Sequence, residues 1–548
     1  MALTVTTDLT VLSTAESVTG WLSWGSGGAG AMAIEPDFFV QGSNCISRGV
    51  SGTTRKGQMI GPLTAIDFTT GTHKDKLIYI WMRTSTPGLC DTRANGGQRV
   101  FVGSGATTPG DAAGVWSAWD VDGSDSIIAT DGWVCYVVDP QSTASATFGG
   151  GAALTAVTFI GGSQLSTTTA KGQNFGVDQI SYGRGEIYVS GTVTTTGSGF
   201  KEIADVVYDS ARTNRWGIIQ VRAGIIFIRG KIIIGHATAN TTFSSAGETV
   251  VFETPAYDNN TNVVQAIPDA SVGGTAGVDG KTSYLGLAFQ GGSGTTTIDM
   301  GIIVGTDGGR SGTRFECPIN AGLTTPTNTL ATLACSDATM GLSLYATNFI
   351  GFKGQIDLTG TGIDDDDCFG CTFSGCGRVD SNMEIRNSNI INSVALTTDG
   401  AFIWNNTTNL SKCVFANNSR AIVFESTTGT PFTFDALVFN SNTFDVRNES
   451  GGAITVNITN GTTPTKEDIG GGSSTTFSNT VTVTLTGMKD NTEVRAYTTG
   501  TITELTGIEN ATDGTANNRS FTITLAPSTA IDIRIHNIAY ETITIINY

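Results

Sequence analysis

The chain has 548 residues, of which 14% are charged, and a net charge of −18 from 48 acidic and 30 basic side chains. Globular proteins average about 25% charged residues, and the few Lys and Arg here form no block, which argues against nucleic-acid binding. No run of about 18 apolar residues occurs, so no membrane-inserting helix is expected.

A prior of about 100–200 residues per domain suggests three or four domains. Glycine accounts for 71 residues, well above the usual share of about 7%. Long Lys/Glu/Ala/Leu runs are absent, and no window of about 15 residues carries an apolar stripe at i, i+3, i+4, i+7. Strict alternation is common instead, as in TVTVTL, SFTITL, IDIRIHNI and ETITII. The expected fold class is all-β. Met1-Ala-Leu-Thr-Val offers neither the basic start nor the apolar core of an export signal, so synthesis in a cytoplasm without signal-peptide export is expected. Nine cysteines at scattered spacings fit no disulfide framework, and reduced thiols are expected.

Residues 1–200 hold Trp21, Trp24, Trp81, Trp116, Trp119 and Trp133. Apolar strands are expected at KLIYIWMRT, GWVCYVVD and FGVDQISYG, separated by glycine-rich turns. The segments Trp81-Met82-Arg83-Thr84, Asp131-Gly132-Trp133 and Val177-Asp178-Gln179-Ile180-Ser181-Tyr182 resemble the laminin-G or concanavalin-like jelly roll. The resemblance covers about 200 residues, though only some 20 of them carry it. It implies an N-terminal jelly-roll sandwich that binds glycan, sometimes with Ca²⁺, or serves as a scaffold.

From residue 201 the pattern changes. WGIIQVRAGIIFIRGKIIIGHA is dense in isoleucine and reads as buried strands of a parallel stack. Between Leu344 and Phe444 the segments ATNFIGF, GCTFSGC, SNIINS, KCVFANNS and LVFNSN share one layout. Their central residues are Phe349, Phe373, Ile391, Phe415 and Phe439, spaced 24, 18, 24 and 24 residues apart. One coil of a parallel solenoid consumes about 20 to 25 residues, so 201–468 is expected to form a right-handed parallel β-helix. Residues 469–478, IGGGSSTTFS, read as a flexible connector. Residues 479–548 alternate strongly and read as a small antiparallel β-sandwich.

This order of parts resembles structural proteins of tailed-bacteriophage virions: tail fibres, tailspikes and head-attached fibres. The matching residues include Val481-Thr482-Val483-Thr484, Asp490-Asn491-Thr492-Glu493-Val494-Arg495 and Ile535-His536-Asn537. The resemblance implies a virion protein assembled in the host cytoplasm, a homotrimer, contacts with other tail or capsid proteins, and attachment to a host surface glycan. It leaves three roles open: a non-enzymatic adhesion fibre or spike, a tailspike depolymerase, and a capsid decoration protein.

Candidate chemistry is sparse. Asp364, Asp365, Asp366 and Asp367 form the densest acidic run. They are a solvated turn, a Ca²⁺ site, or, with Glu384 or Asp399, part of a sugar-cleaving groove. Alternation along an extended chain keeps adjacent Asp side chains from converging on one ion, which favours the turn. No other cofactor is expected. Cys368, Cys371, Cys376 and Cys413 read as core residues, because a second zinc-binding pair is missing. His73, His236 and His536 lie in separate regions without a nucleophile signature, so no catalytic residue is assigned. Trp81 and Trp133 sit mid-strand and read as core. Trp21, Trp24, Trp116 and Trp119 lie beside Gly and Ser and are the candidates for a glycan-stacking platform.

Overall fold

The computed structural model describes all residues except 1, 26–30, 51–52, 71–72, 74–75, 111–112, 126–131, 168–172, 253–284, 305–308, 318–330, 336–339, 361–367, 396–399, 405–409, 487–491, 509–517, 525–530, 538–542 and 546–548. It is all-β, with one α-helix among the described residues. The chain forms two compact units, Met1–Asp364 with Gly375–Gly377, and Asp365–Ser374 with Arg378–Tyr548.

The first unit begins with two six-stranded antiparallel sheets. The three strands singled out in the sequence are neighbours: Trp133–Val138 and Gln173–Gly183 flank Leu77–Thr84. The second sheet contains Trp21–Trp24, Lys56–Ile60, Gln98–Ser104, Val115–Asp122, Ala146–Phe148 and Val157–Gln164. Alternation sends Ile78, Ile80, Met82 and Val177 from one sheet, and Val100, Val102, Trp119 and Ile160 from the other, into one buried cluster.

Strand Glu186–Thr192 then turns to parallel pairing. It is antiparallel to Thr4–Thr7 on one side and parallel to Lys231–Gly235 on the other. A column of parallel strands follows through Gly286–Gln290 and Thr332–Cys335. A second column runs through Thr241–Ser245, Thr296–Met300 and Met340–Tyr345, and a third through Thr249–Phe252, Arg314–Glu316 and Asn348–Ile350. These columns form a large parallel sheet consistent with a β-helix. The isoleucine-rich opening departs from expectation at one point. Ile219–Arg222 and Ile225–Ile228 are an antiparallel hairpin, because Ala223 and Gly224 both take positive φ (51° and 80°), the geometry of a tight primed turn.

The helix Gly199–Val207 was not anticipated. It buries Phe200, Ile203, Ala204 and Val207, an i, i+3, i+4, i+7 stripe too short for a 15-residue window. The Phe200 ring meets Phe243 and Phe315 edge-on at 5.4 and 5.5 Å, so the helix covers apolar side chains of the parallel columns. Ser198 gives no side-chain cap. The half-buried Glu248 carboxylate instead accepts the Phe200 and Lys201 N–H groups at 3.2 and 2.8 Å.

In the second unit the coils up to Asn440 supply three short strands each, and the later ones two. One full turn comprises Arg420–Phe424, Phe432–Asp435 and Val438–Asn440, stacked on Phe402–Ile403, Leu410–Ser411 and Val414–Ala416. The apolar ladder is Phe373, Ile390, Phe415 and Phe439. The sequence reading chose Ile391, one residue too far: Ile390 is buried and Ile391 lies on the opposite, half-buried side. All nine cysteines are buried and free of disulfides, and Cys368, Cys371 and Cys413 pack among the coils. Corners are turned by left-handed residues at matching points of successive coils: Gly370, Asn387, Lys412 and Ala436, with φ of 68°, 49°, 53° and 50°. Each donates its N–H to the carbonyl of the next coil, for example Asn387 to Ser411 O at 3.0 Å.

Composition placed residues 469–478 in a flexible connector. From Ser474 this stretch is strand: Ser474–Asn479 pairs in parallel with Ala453–Ile458. The same strand continues to Thr486 and there pairs antiparallel with Asn518–Thr524. Thr492–Thr498 pairs antiparallel with Glu504–Ile508 and Ile531–Asn537.

Candidate functional site

A groove of about 460 Å³ lies along the second unit's parallel strands. Its floor follows from register. Phe369 pairs with Arg386, Arg386 with Ser411, and Ser411 with Asp435, so one outward-facing position of four successive coils forms a column. The preceding residues Cys368, Ile385, Leu410 and Phe434 point into the core. The corner residues Asn387 and Lys412 add a second polar column beside it.

The lining suits a polyhydroxylated ligand. Phe369 leaves 39% of its surface exposed, an apolar ring available to stack on a pyranose face. Arg386 and Lys412 supply donors, and Glu384 and Asp435 supply acceptors. Ser411 Oγ donates to Glu384 Oε1 at 3.4 Å, and Thr459 Oγ1 donates to Asp435 Oδ1 at 3.2 Å.

The two carboxylates of the groove rise from different coils. Asp435 stands two coils from Arg386, and Glu384 two residues before it. Coils about 4.8 Å apart and a rise of about 3.3 Å per residue put the two backbones about 12 Å apart. The Ser411–Glu384 bond draws the Glu384 carboxylate towards the coil beside Asp435.

The residues proposed from sequence fall differently. Trp21 and Trp119 are buried and do not form an exposed platform: Trp21 Nε1 donates to Ser13 Oγ at 3.0 Å and Trp119 Nε1 to Ser142 O at 3.3 Å. The facing sheet covers them, which their Gly and Ser neighbours did not reveal. Trp24 and Trp116 are half-buried and pack on one small cluster of Met59, Phe101, Ala118 and Phe159. Trp116 stacks on Phe148 at 6.1 Å, and Trp24 meets Phe101 edge-on at 5.7 Å. Asp364, Asp365, Asp366, Asp367 and Asp399 lie outside the described residues. No group of three or more His, Cys, Asp or Glu side chains able to hold a metal occurs among the described residues. The Cys413 thiol, which donates to Ile385 O at 3.2 Å, is pushed up to about 12 by burial, the behaviour of a core thiol.

Sequence reasoning missed Phe369, Arg386 and Lys412. Their only signal is the shared column, which becomes visible once the coil register is known.

No family model matches this chain, and no curated protein matches it. Among solved structures it is similar to the family 11 carbohydrate-binding module from Clostridium thermocellum in complex with a β-1,3-1,4-mixed-linked tetrasaccharide. That likeness has 16% identity, 32% coverage of this chain, 94% of that one and a TM-score of 0.23. It is also similar to the catalytic domain of a GH87 α-1,3-glucanase in complex with tetrasaccharides, at 8% identity, 87% and 98% coverage, and a TM-score of 0.22. At these scores neither likeness carries an argument about activity.

Proposed function

We propose that this is a non-enzymatic adhesion protein that holds a neutral polysaccharide in the groove of its second unit. The exposed Phe369 ring, set in a rigid column between balanced charges, carries this reading. Donors and acceptors in equal number match hydroxyl groups, which need both, and disfavour a polyanion. We read the paired sheets as a jelly-roll sandwich, the parallel columns as a right-handed β-helix and the last strands as a small sandwich. The order of these parts and the acidic composition support a place in a bacteriophage virion as a fibre or spike. There the chain forms a homotrimer and contacts other tail or capsid proteins.

The test uses the intact protein and neutral host-surface polysaccharide fractions. Saturable binding is expected without release of reducing ends. Phe369→Ala should weaken binding about tenfold, roughly 1.4 kcal/mol, at an unchanged melting temperature, because the ring is partly exposed. Unchanged binding in that variant removes the groove from the proposal.

A second reading, a depolymerase, rests on Glu384 and Asp435 sharing the groove. Release of reducing ends, abolished by Glu384→Gln or Asp435→Asn, would establish it. A capsid decoration role would show as reduced heat resistance of particles lacking the protein.

A further inference from the structure

The first unit contains a second cleft, of about 330 Å³, with a different chemistry. Phe39 and Val40 form one wall, Trp81 and Trp133 a second, and Tyr208, Arg212 and Arg215 a third. No lining residue is a carboxylate, in a chain where acidic residues outnumber basic ones by 48 to 30. Local composition is therefore opposite to the global one.

The guanidinium groups are held in place by aromatic rings. Arg212 lies over the Phe39 ring at 4.4 Å, and Arg215 over the Tyr208 ring at 4.3 Å. Both also have structural work. Arg212 Nη1 donates to Phe39 O at 3.1 Å. Arg215 donates to Val207 O and Asp209 O at 2.5 and 3.0 Å, closing the C-terminal end of the helix. These bonds use one and two donors, and a guanidinium has five. Trp81 Nε1 is engaged with Arg215 O at 2.8 Å. Trp133 Nε1 is buried and has no partner among the described residues. A buried indole N–H without an acceptor is costly; it is sealed from solvent here, so a ligand oxygen would reach it as the ring shifts towards the cleft.

We propose that this cleft binds one carboxylate-bearing sugar residue, a hexuronate. The carboxylate would lie against Arg212 and Arg215 and a ring oxygen or hydroxyl would accept from Trp133. The volume sits at the lower end of the about 300–1,000 Å³ usual for ligand clefts, which favours a single residue over a chain. This site is independent of the neutral-polysaccharide groove in the second unit.

The experiment is a tryptophan-fluorescence titration of the intact protein with glucuronate, glucose and acetate. Glucuronate should give a saturable change that weakens with salt, glucose none, and acetate a midpoint about tenfold or more higher. Arg212→Gln should raise the glucuronate midpoint about tenfold or more. Trp133→Phe, which removes only the N–H, should raise it less and keeps the test open if the first variant does not fold. Phe369→Ala should leave it unchanged. Equal responses to glucuronate and glucose, no response to either, or a glucuronate midpoint unmoved by both cleft variants would overturn the proposal.

Discussion

At the residue scale, Asp178 is the least expected side chain. It is fully buried in the strand Gln173–Gly183. Its Oδ2 accepts the Val40 and Gln41 N–H groups at 2.6 and 3.1 Å, while Oδ1 has no partner among the described residues. Burial pushes its carboxyl up to about 7 despite those two bonds. An unfolded Asp titrates near pH 4. Between these values the folded chain holds a proton that the unfolded chain has released. This contribution is therefore fully present below about pH 4 and is lost as pH rises through 7, a change on the order of 4 kcal/mol. Asp178→Asn keeps an oxygen for the two amides and removes the charge. It should raise the melting temperature at pH 8, and the gain should shrink steadily towards pH 4. The sequence shows an Asp in an apolar strand but not the loop that folds over it, so this burial was not legible.

At the element scale, the coils impose two opposite rules on residues with positive φ. Gly301 has φ of 96°, and a Cβ there would stand 1.7 Å from Tyr345 O in the next coil. Gly301→Ala should therefore lower the urea midpoint sharply, with a loss of about 3 kcal/mol or more. Ala436 also has positive φ, at a corner where its equivalents are Gly370, Asn387 and Lys412. Ala436→Asn places a residue that tolerates this conformation, and it should be neutral or stabilising by up to about 1 kcal/mol. A drop in midpoint for Ala436→Asn comparable to that of Gly301→Ala would contradict the distinction. The coil period was readable from phenylalanines, but the phase was not. In Asn389-Ile390-Ile391 both isoleucines are apolar, and only the pairing of Phe373 with Ile390 decides which faces inward. Outward residues such as Arg386 and Lys412 carry no periodic apolar signal, so the groove was invisible while the ladder was not. The helix Gly199–Val207 escaped for a related reason: nine residues give about two and a half turns, too few for a period to stand out.

For the whole molecule, the homotrimer expected of the virion reading makes a direct demand. Solution mass should come out near three times the chain mass of 56.9 kDa. A stable single-chain species at micromolar concentration would remove that part of the proposal. In the N-terminal part the central strands Leu77–Thr84 and Gln173–Gly183 are buried almost throughout, and they were legible as apolar, aromatic runs between glycine-rich turns. The parallel part was identified by repetition instead, because its very short strands offer too few residues for alternation to register. The strand Ser474–Thr486 belongs to both kinds of pairing. No loose swivel separates its two halves. A pull on the terminal strands would pass along one covalent backbone into the six residue pairs that join Ser474–Asn479 to Ala453–Ile458. Load on the terminal sheet therefore reaches the last coil directly, through continuous strand.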